Sequence, residues 1–305
     1  MKRVLVTGAT GFIGRHCLKP LLERGYEVHA VCHDRPVVES SSLTWHRADL
    51  LVEGEIARIA KTAKPTHLLH LAWCATPGEF WTSLENLRWV KASIDLLEVF
   101  ARYGGQRCVV AGSYAEYDWR HGRLEENSTP LGPSTLYGAC KHGLHVILDT
   151  FAWQSGFMVA WGRVFHVYGP HEHPQRLMPS VCLSLLKGEE ARCTHGNQVR
   201  DFLYVEDAAD AFVALLDSEV IGAVNIGSGE GVPISTVIDG VAKKLGRPHL
   251  VRLGAVPARA GDPPELVADV RRLTDELCWR PRVTLAEGID RSIAWWKATL
   301  AREIA

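Results

Sequence analysis

The chain has 305 residues, of which 47 % are hydrophobic and 23 % charged, and its formal net charge is −1. That length suits one large α/β unit or two lobes sharing a core. The balanced charge provides no basic field for nucleic acid or an anionic membrane, so an anionic ligand must be held by locally placed groups.

From the N-terminus, short β-branched runs alternate with longer helical patterns. Strands are predicted at 3–7, 27–31, 44–47, 67–71, 107–111 and 157–163, and helices at 13–24, 53–61, 84–103 and 136–153. Several strands are apolar on both faces, as strands buried in a parallel sheet are. After about residue 164 come loops rich in Pro, Gly and His, beginning Tyr168-Gly169-Pro170-His171-Glu172-His173-Pro174, then helices separated by short strands. The stretch 285–300 reads as an amphipathic closing helix whose Trp295-Trp296 pair packs. The pattern predicts a doubly wound parallel α/β sheet over residues 1–165, completed by parts of 202–227, with a smaller α/β lobe over most of 166–305.

The eight cysteines stand singly, with no CxxC pair and no zinc spacing, and Lys2-Arg3 leads straight into a strand without a signal-type apolar core. No apolar run approaches the roughly 20 residues of a membrane span. These features describe a reduced, cytoplasmic protein with no membrane or nucleic-acid partner. A metal on His171 and His173 is not expected, because no third ligand lies nearby in sequence.

Val4-Leu5-Val6-Thr7-Gly8-Ala9-Thr10-Gly11-Phe12-Ile13-Gly14 joins a buried strand, a glycine turn and a helix start. Gly8 permits the turn, Gly11 admits a pyrophosphate to the backbone, and Gly14 allows close helix–strand packing, while the helix N-terminus faces the anion. This is the dinucleotide-binding junction of a Rossmann-type fold. At the end of the second strand, Val31-Cys32-His33-Asp34-Arg35 places Cys32 where a carboxylate would hold the adenosine ribose of NAD. With His33 and Arg35 close behind, NADP(H) is favoured. Asp34 keeps NAD(H) open.

Leu136-Tyr137-Gly138-Ala139-Cys140-Lys141 sets Tyr137 and Lys141 at i and i+4 on one helix face. A nearby ammonium lowers a phenol's pKa, so Tyr137 is a candidate to exchange a proton with a carbonyl oxygen. Ser113 ends the strand before that helix, where open α/β sheets bind ligands.

Taken in order, Thr7–Gly14, Ser113, Tyr137–Lys141, Val167-Tyr168-Gly169-Pro170 and Arg200-Asp201-Phe202 resemble the extended short-chain dehydrogenases/reductases that modify sugar nucleotides. The resemblance runs to Arg259-Ala260-Gly261-Asp262-Pro263 and Trp279-Arg280-Pro281. It implies catalytic roles for Ser113, Tyr137 and Lys141, with Lys141 also on the nicotinamide ribose. The cofactor would lie on Gly8, Gly11, Phe12, Ile13, Gly14 and the residues after the second strand. Asp49 and Leu50 would flank the adenine, and Leu71, Ala72 and Trp73 would line the path to the nicotinamide. Substrate contacts are implied for Ser113, Tyr114, His166, His171, Arg176, Leu177, Arg200 and Arg259, and guanidinium forks suit a diphosphate. A homodimer through the helices at 84–103 and 136–153 is implied as well.

Departures from the family's patterns narrow the reaction. The Thr-Asp-Glu of the 4,6-dehydratases is replaced by Ser113-Tyr114-Ala115, with Glu116 one residue out of place. Of the Cys and His used by GDP-fucose synthases, Ala115 takes the first position and His171 keeps the second. Two reactions survive. The favoured one is reduction of a 4-keto, 6-deoxy nucleotide sugar, with hydride to C4 and a proton from Tyr137. The alternative is NAD-dependent 4-epimerisation. A nucleotide-binding regulator without catalysis is the remote third, since Ser113, Tyr137 and Lys141 are all retained.

Overall fold

The computed structural model describes residues 2–34, 37, 42–259 and 261–304. Arg35, one ground for expecting NADP, lies outside the described residues. Fourteen strands are formed by the described residues: β1 (Arg3–Thr7), β2 (Glu27–Cys32), β3 (Leu43–Arg47), β4 (His67–His70), β5 (Arg107–Ser113), β6 (Arg123–Leu124), β7 (Met158–Val164), β8 (His166–Tyr168), β9 (Ala191–Arg192), β10 (Val199–Tyr204), β11 (Gly222–Ile226), β12 (Gly231–Pro233), β13 (Val251–Arg252) and β14 (Glu265–Ala268). The α-helices are α1 (Gly14–Glu23), α2 (Glu55–Ala63), α3 (Glu85–Arg102), α4 (Leu136–Ser155), α5 (Leu177–Lys187), α6 (Val205–Leu216), α7 (Ile234–Lys244) and α8 (Leu285–Ile304).

Seven strands make one parallel sheet in the order β11-β7-β5-β4-β1-β2-β3. Strand alternation explains why both faces are covered. Val4 and Val6 of β1 point into a cluster with Leu18 and Leu21 of α1 and Phe212 and Leu216 of α6. Leu5, between them, points into the opposite cluster with Ile59 of α2, Leu96 of α3 and Leu148 of α4. A strand buried on both faces needs this run of apolar residues. Strand order reverses at β1, which pairs with both β2 and β4, and opens a crevice at the carboxyl ends of the strands.

A second sheet runs β12-β10-β14-β6, with β8 on β10. Helices α5, α7 and α8 close its core around Tyr168, Val181, Ile238 and Trp296. The two lobes exchange segments. β6 precedes α4 in the chain yet pairs with β14 of the second sheet, while β11 returns from the second half as the edge of the first. Trp296 is 5 % exposed, in keeping with the packing role read from the sequence.

A Cβ at Gly14 would run into the carbonyl oxygen of Gly8, which is backbone and has no rotamer with which to yield. Gly14→Ala is therefore expected to lower stability by about 2 kcal/mol, seen as an earlier urea midpoint. An unchanged midpoint would mean that α1 and the turn can separate freely.

Candidate active site

The turn after β1 is held by contacts only glycine permits. Gly8 has φ +70°, and a Cβ there would sit 2.7 Å from the backbone nitrogen of Ala72. Gly11 donates its N–H to Gly8 O at 2.9 Å and stays exposed. Helix α1 begins with no side-chain cap and no acidic residue in its first turn, so no side chain offsets the positive end of its dipole. Such a helix start suits an anion. Phe12 and Ile13 are half-buried beside it.

Cys32 ends β2 with 3 % exposure, and burial pushes its thiol pKa up, so it brings no charge to a ribose. Asp34 is exposed two residues further on, with its carboxylate 3.1 Å from His33 Nδ1. Leu50 is buried, and Asp49 accepts the Leu51 N–H at 2.9 Å. Leu71 and Ala72 both donate to Thr7, through its carbonyl at 3.2 Å and its hydroxyl at 3.3 Å, so the segment after β4 lies directly against the glycine turn.

Ser113, Tyr137 and Lys141 come together at the end of β5 and the start of α4. Thr135 caps α4 by accepting the Gly138 N–H at 3.1 Å, and a Cβ at Gly138 would collide with the carbonyl of Ala115. That close approach sets Tyr137 beside Ser113, whose hydroxyl favours the ionised phenol. Ser113 Oγ already accepts the Ala115 N–H at 3.2 Å, which leaves its proton to donate to Tyr137 or a bound oxygen. The Lys141 ammonium donates to Ala111 O at 2.8 Å and lies 3.7 Å above the Trp73 ring. Burial pushes its pKa down to about 7. Burial likewise raises that of Tyr137, opposed by the Ser113 bond and the nearby Arg176.

A cavity of about 260 Å³ opens beside this group. Its walls include Tyr114, His166, Arg200 and Arg259 from the sequence reading, together with Trp81 and Trp119, which that reading missed. Tyr114 stacks on His166 at 4.9 Å. His166 is pushed down to about 3 by burial and by Arg200 and Arg176, so it is neutral at ordinary pH, and its Nδ1 is buried with no hydrogen-bond partner among the described residues. Arg200 is buried in an ion pair with Asp262 at 2.8 Å, whereas Arg259 is exposed 4.9 Å over the Trp81 ring. Arg176 is exposed 5.5 Å over Phe80, close enough to act on Tyr137. Asp201 turns away and is spent on structure, accepting the N–H groups of Ser228, Gly229 and Ala268.

Two residues expected at the substrate are engaged elsewhere. His171, at φ +68°, takes a 2.6 Å contact from Arg15, which also holds the carbonyls of Thr10 and Gly11, and its ring lies 4.7 Å from Trp295. It therefore abuts the glycine turn and not the cavity. Leu177 opens α5 and packs into the apolar core around Tyr168.

Residues 4–227 match the model of the NAD dependent epimerase/dehydratase family. The chain belongs to this family. Its members modify nucleotide sugars, and this chain is such an enzyme. MoeE5, solved with UDP-glucuronic acid and NAD, is 30 % identical, with 97 % of this chain and 99 % of that one covered at a TM-score of 0.85. The UDP-glucose 4-epimerase of Thermus thermophilus, solved with NAD, is 28 % identical over 97 % and 99 % of the two chains, at a TM-score of 0.83. UDP-glucuronic acid decarboxylase 1 of Xenopus tropicalis is 25 % identical over 99 % of this chain and 74 % of its own.

NAD, the cofactor in the family's description, fits the residues present: a tight turn whose exposed Gly11 leaves the backbone bare and a helix start without a side-chain cap are both suited to a pyrophosphate. The lean to NADP finds no support among the relatives. Among the described residues, one group has atoms placed as metal ligands could be, Glu116, His142 and His145, within 4.8 Å of one another. Arg163 lies 3.1 Å from the Glu116 carboxylate and already supplies the cation there, so the group is an ion-pair network. Trp81 and Trp119 had no sequence signal, because each joins the wall only when its loop folds across the strand ends.

Arg259→Ala should weaken binding of a nucleoside diphosphate by roughly tenfold or more without changing the melting temperature, since this side chain is exposed. Arg200→Met should lower both, because Asp262 loses its buried partner. Titration calorimetry and thermal denaturation read the two effects. Equal affinity in Arg259→Ala and wild type would remove Arg259 from the ligand site.

Proposed function

We propose that this protein epimerises a nucleoside-diphosphate sugar at C4, using NAD. One observation carries the reading: Ser113, Tyr137 and Lys141 gather at one strand end, and among the described residues no carboxylate beside them is free to act. Tyr114 and Ala115 stand where a dehydratase would have its acid and base. The Glu116 carboxylate is committed to Ser113 N–H at 2.8 Å, Trp161 Nε1 at 2.8 Å and Arg163 Nε at 3.1 Å. A site that moves one proton at one oxygen suits oxidation and re-reduction at C4. It does not suit loss of water.

In this mechanism Arg200 and Arg259 hold the diphosphate, and the aromatic faces of Trp81, Trp119 and Tyr114 bound the sugar. Bound NAD supplies the acceptor and return of hydride at C4. Tyr137 takes the O4 proton as the alcohol becomes a ketone and, once the 4-keto sugar has turned its other face to the cofactor, gives a proton back to O4, with Ser113 donating a hydrogen bond to the same oxygen. The Lys141 ammonium favours the ionised phenol. Asp34 is the group proposed for the adenosine ribose.

The relatives solved with NAD support 4-epimerisation over ketoreduction. The reductase reading, NADPH acting on a 4-keto sugar, retains one observation in its favour, the buried uncharged Cys32 at the end of β2. The free thiols of all eight cysteines fit a cytoplasmic setting. No described helix is long and apolar enough to cross a membrane.

A homodimer is part of this proposal. Leu87 of α3, and Val146, Ile147 and Trp153 of α4, expose 54, 54, 46 and 83 % of their surface, an apolar face on paired helices. Light scattering is expected to give twice the chain mass, and Trp153→Arg with Ile147→Arg to give one. A monomeric wild type at micromolar concentration would discard the dimer.

The catalytic reading is tested with the purified protein, UDP-glucose, UDP-glucuronic acid and dTDP-glucose. Conversion to the C4 epimer without added cofactor is expected for one of them, with NAD⁺ released on denaturation. Tyr137→Phe should cut turnover by about 10²-fold or more while NAD remains bound. Wild-type turnover in that variant would sink the mechanism. Released NADP, together with NADPH oxidation by 4-keto sugars, would establish the reductase instead.

A further inference from the structure

Glu116 has no place in the reaction above, yet it is fully buried at the centre of a polar network behind the catalytic group. It reciprocates the cap at the end of β5: Ser113 Oγ accepts from Ala115 N–H while the Glu116 carboxylate accepts from Ser113 N–H at 2.8 Å. Its other bonds, from Trp161 and Arg163 on β7, fix the carboxylate from behind. A Cβ at Gly112 would lie 2.6 Å from Glu116 Oε1 and would strike Trp161 Nε1, so the chain is kept bare there to admit the carboxylate.

We propose that Glu116 is the positioning residue of the catalytic group, fixing Ser113 through its backbone and supporting the charge on Lys141. Around the carboxylate stand Arg163 from β7 and, from α4, His145, with Nδ1 at 3.9 Å, and His142. Around Lys141 stand His70 from β4, Cys140 on its own helix and Glu116. His70 is neutral, pushed down to about 3 by burial and by Lys141 itself, and the Cys140 thiol is raised by burial. Lys141 Nζ donates to Ala111 O at 2.8 Å and Glu116 Oε1 lies against Gly112, the next residue of β5, so ammonium and carboxylate flank one peptide of the strand. Arg163 neutralises the carboxylate only in part, since it donates to Oε2 while Oε1 faces Gly112, and it donates to Tyr117 as well, at 3.0 Å.

The assignment rests on the reading of Tyr137 and Lys141 as the proton-transfer pair, but its test does not need turnover. In protein loaded with NAD, the lysine ε-carbon resonance that titrates near neutral pH and vanishes in Lys141→Met reports this ammonium. Glu116→Gln keeps an acceptor for Ser113 and removes the charge. The Lys141 midpoint should fall by about half a unit to one unit, because a lost negative neighbour favours the neutral amine. The alkaline limb of turnover should move the same way. Glu116→Asp, which keeps the charge, should hold the midpoint within about 0.3 units. If Glu116→Gln does not fold beside an unpaired Arg163, the double variant Glu116→Gln/Arg163→Gln removes both charges and should shift the midpoint in the same direction. A midpoint unmoved by loss of the Glu116 charge overturns the proposal, whatever happens to stability. A shifted midpoint in a protein that epimerises nothing would leave Glu116 in this role and reject the reaction instead.

Discussion

The first turn of α4 lies against the short turn after β5 so closely that Gly138 meets the carbonyl of Ala115 with no room for a side chain between them. The candidate catalytic group is arranged around that approach. It brings Tyr137 to Ser113, and one turn later it puts Lys141 between Ala111 O and the ring of Trp73. Helix and strand are each rigid, so the triad inherits a geometry fixed by backbone contact and not by flexible side chains.

Charge is divided between two tasks. Behind the strand ends, Glu116, Arg163 and Lys141 are buried and bonded on several sides, where an uncompensated charge would be costly and a fixed one acts over distance. In front of them, Arg176 and Arg259 are exposed and rest on aromatic rings. Exposed guanidinium groups lose little on meeting an anion, because part of their water is already replaced by the ring face. Arg200 stands between the two arrangements, buried with Asp262 yet lining the cavity.

The lobes hold the two halves of the site in one frame because they share strands. Asn225 of β11 accepts from Tyr117 at 2.8 Å and donates to Leu124 O at 2.8 Å and Asp269 O at 3.0 Å, tying the edge of the large sheet to β6 and to the end of β14. Asp201 performs the same service for β10, the turn after β11, and β14. On the cofactor side, Arg15 joins the glycine turn to the loop that carries His171. The cavity between Tyr114 and Arg259 therefore has both walls set by buried hydrogen bonds.

The sequence by itself determined what depends on local spacing. Runs of apolar residues marked the strands of the large sheet, the glycines at 8, 11 and 14 marked the tight turn into α1, and the i, i+4 spacing of Tyr137 and Lys141 placed both on one helical face. Ser113 was legible as the end of a buried strand. Tertiary structure decided whatever depends on loops crossing that sheet. It put Trp81 and Trp119 into the cavity wall, spent Asp201 on strand connections, and turned His171 towards Arg15, none of which a period or a spacing encodes. It also gave Glu116 its role. One residue out of register with the dehydratase acid, it points behind the strand end, where Arg163 and Trp161, more than 40 residues away in the chain, supply its partners. Such partners meet only when β5 and β7 pair side by side, so their chemistry is a property of the folded sheet.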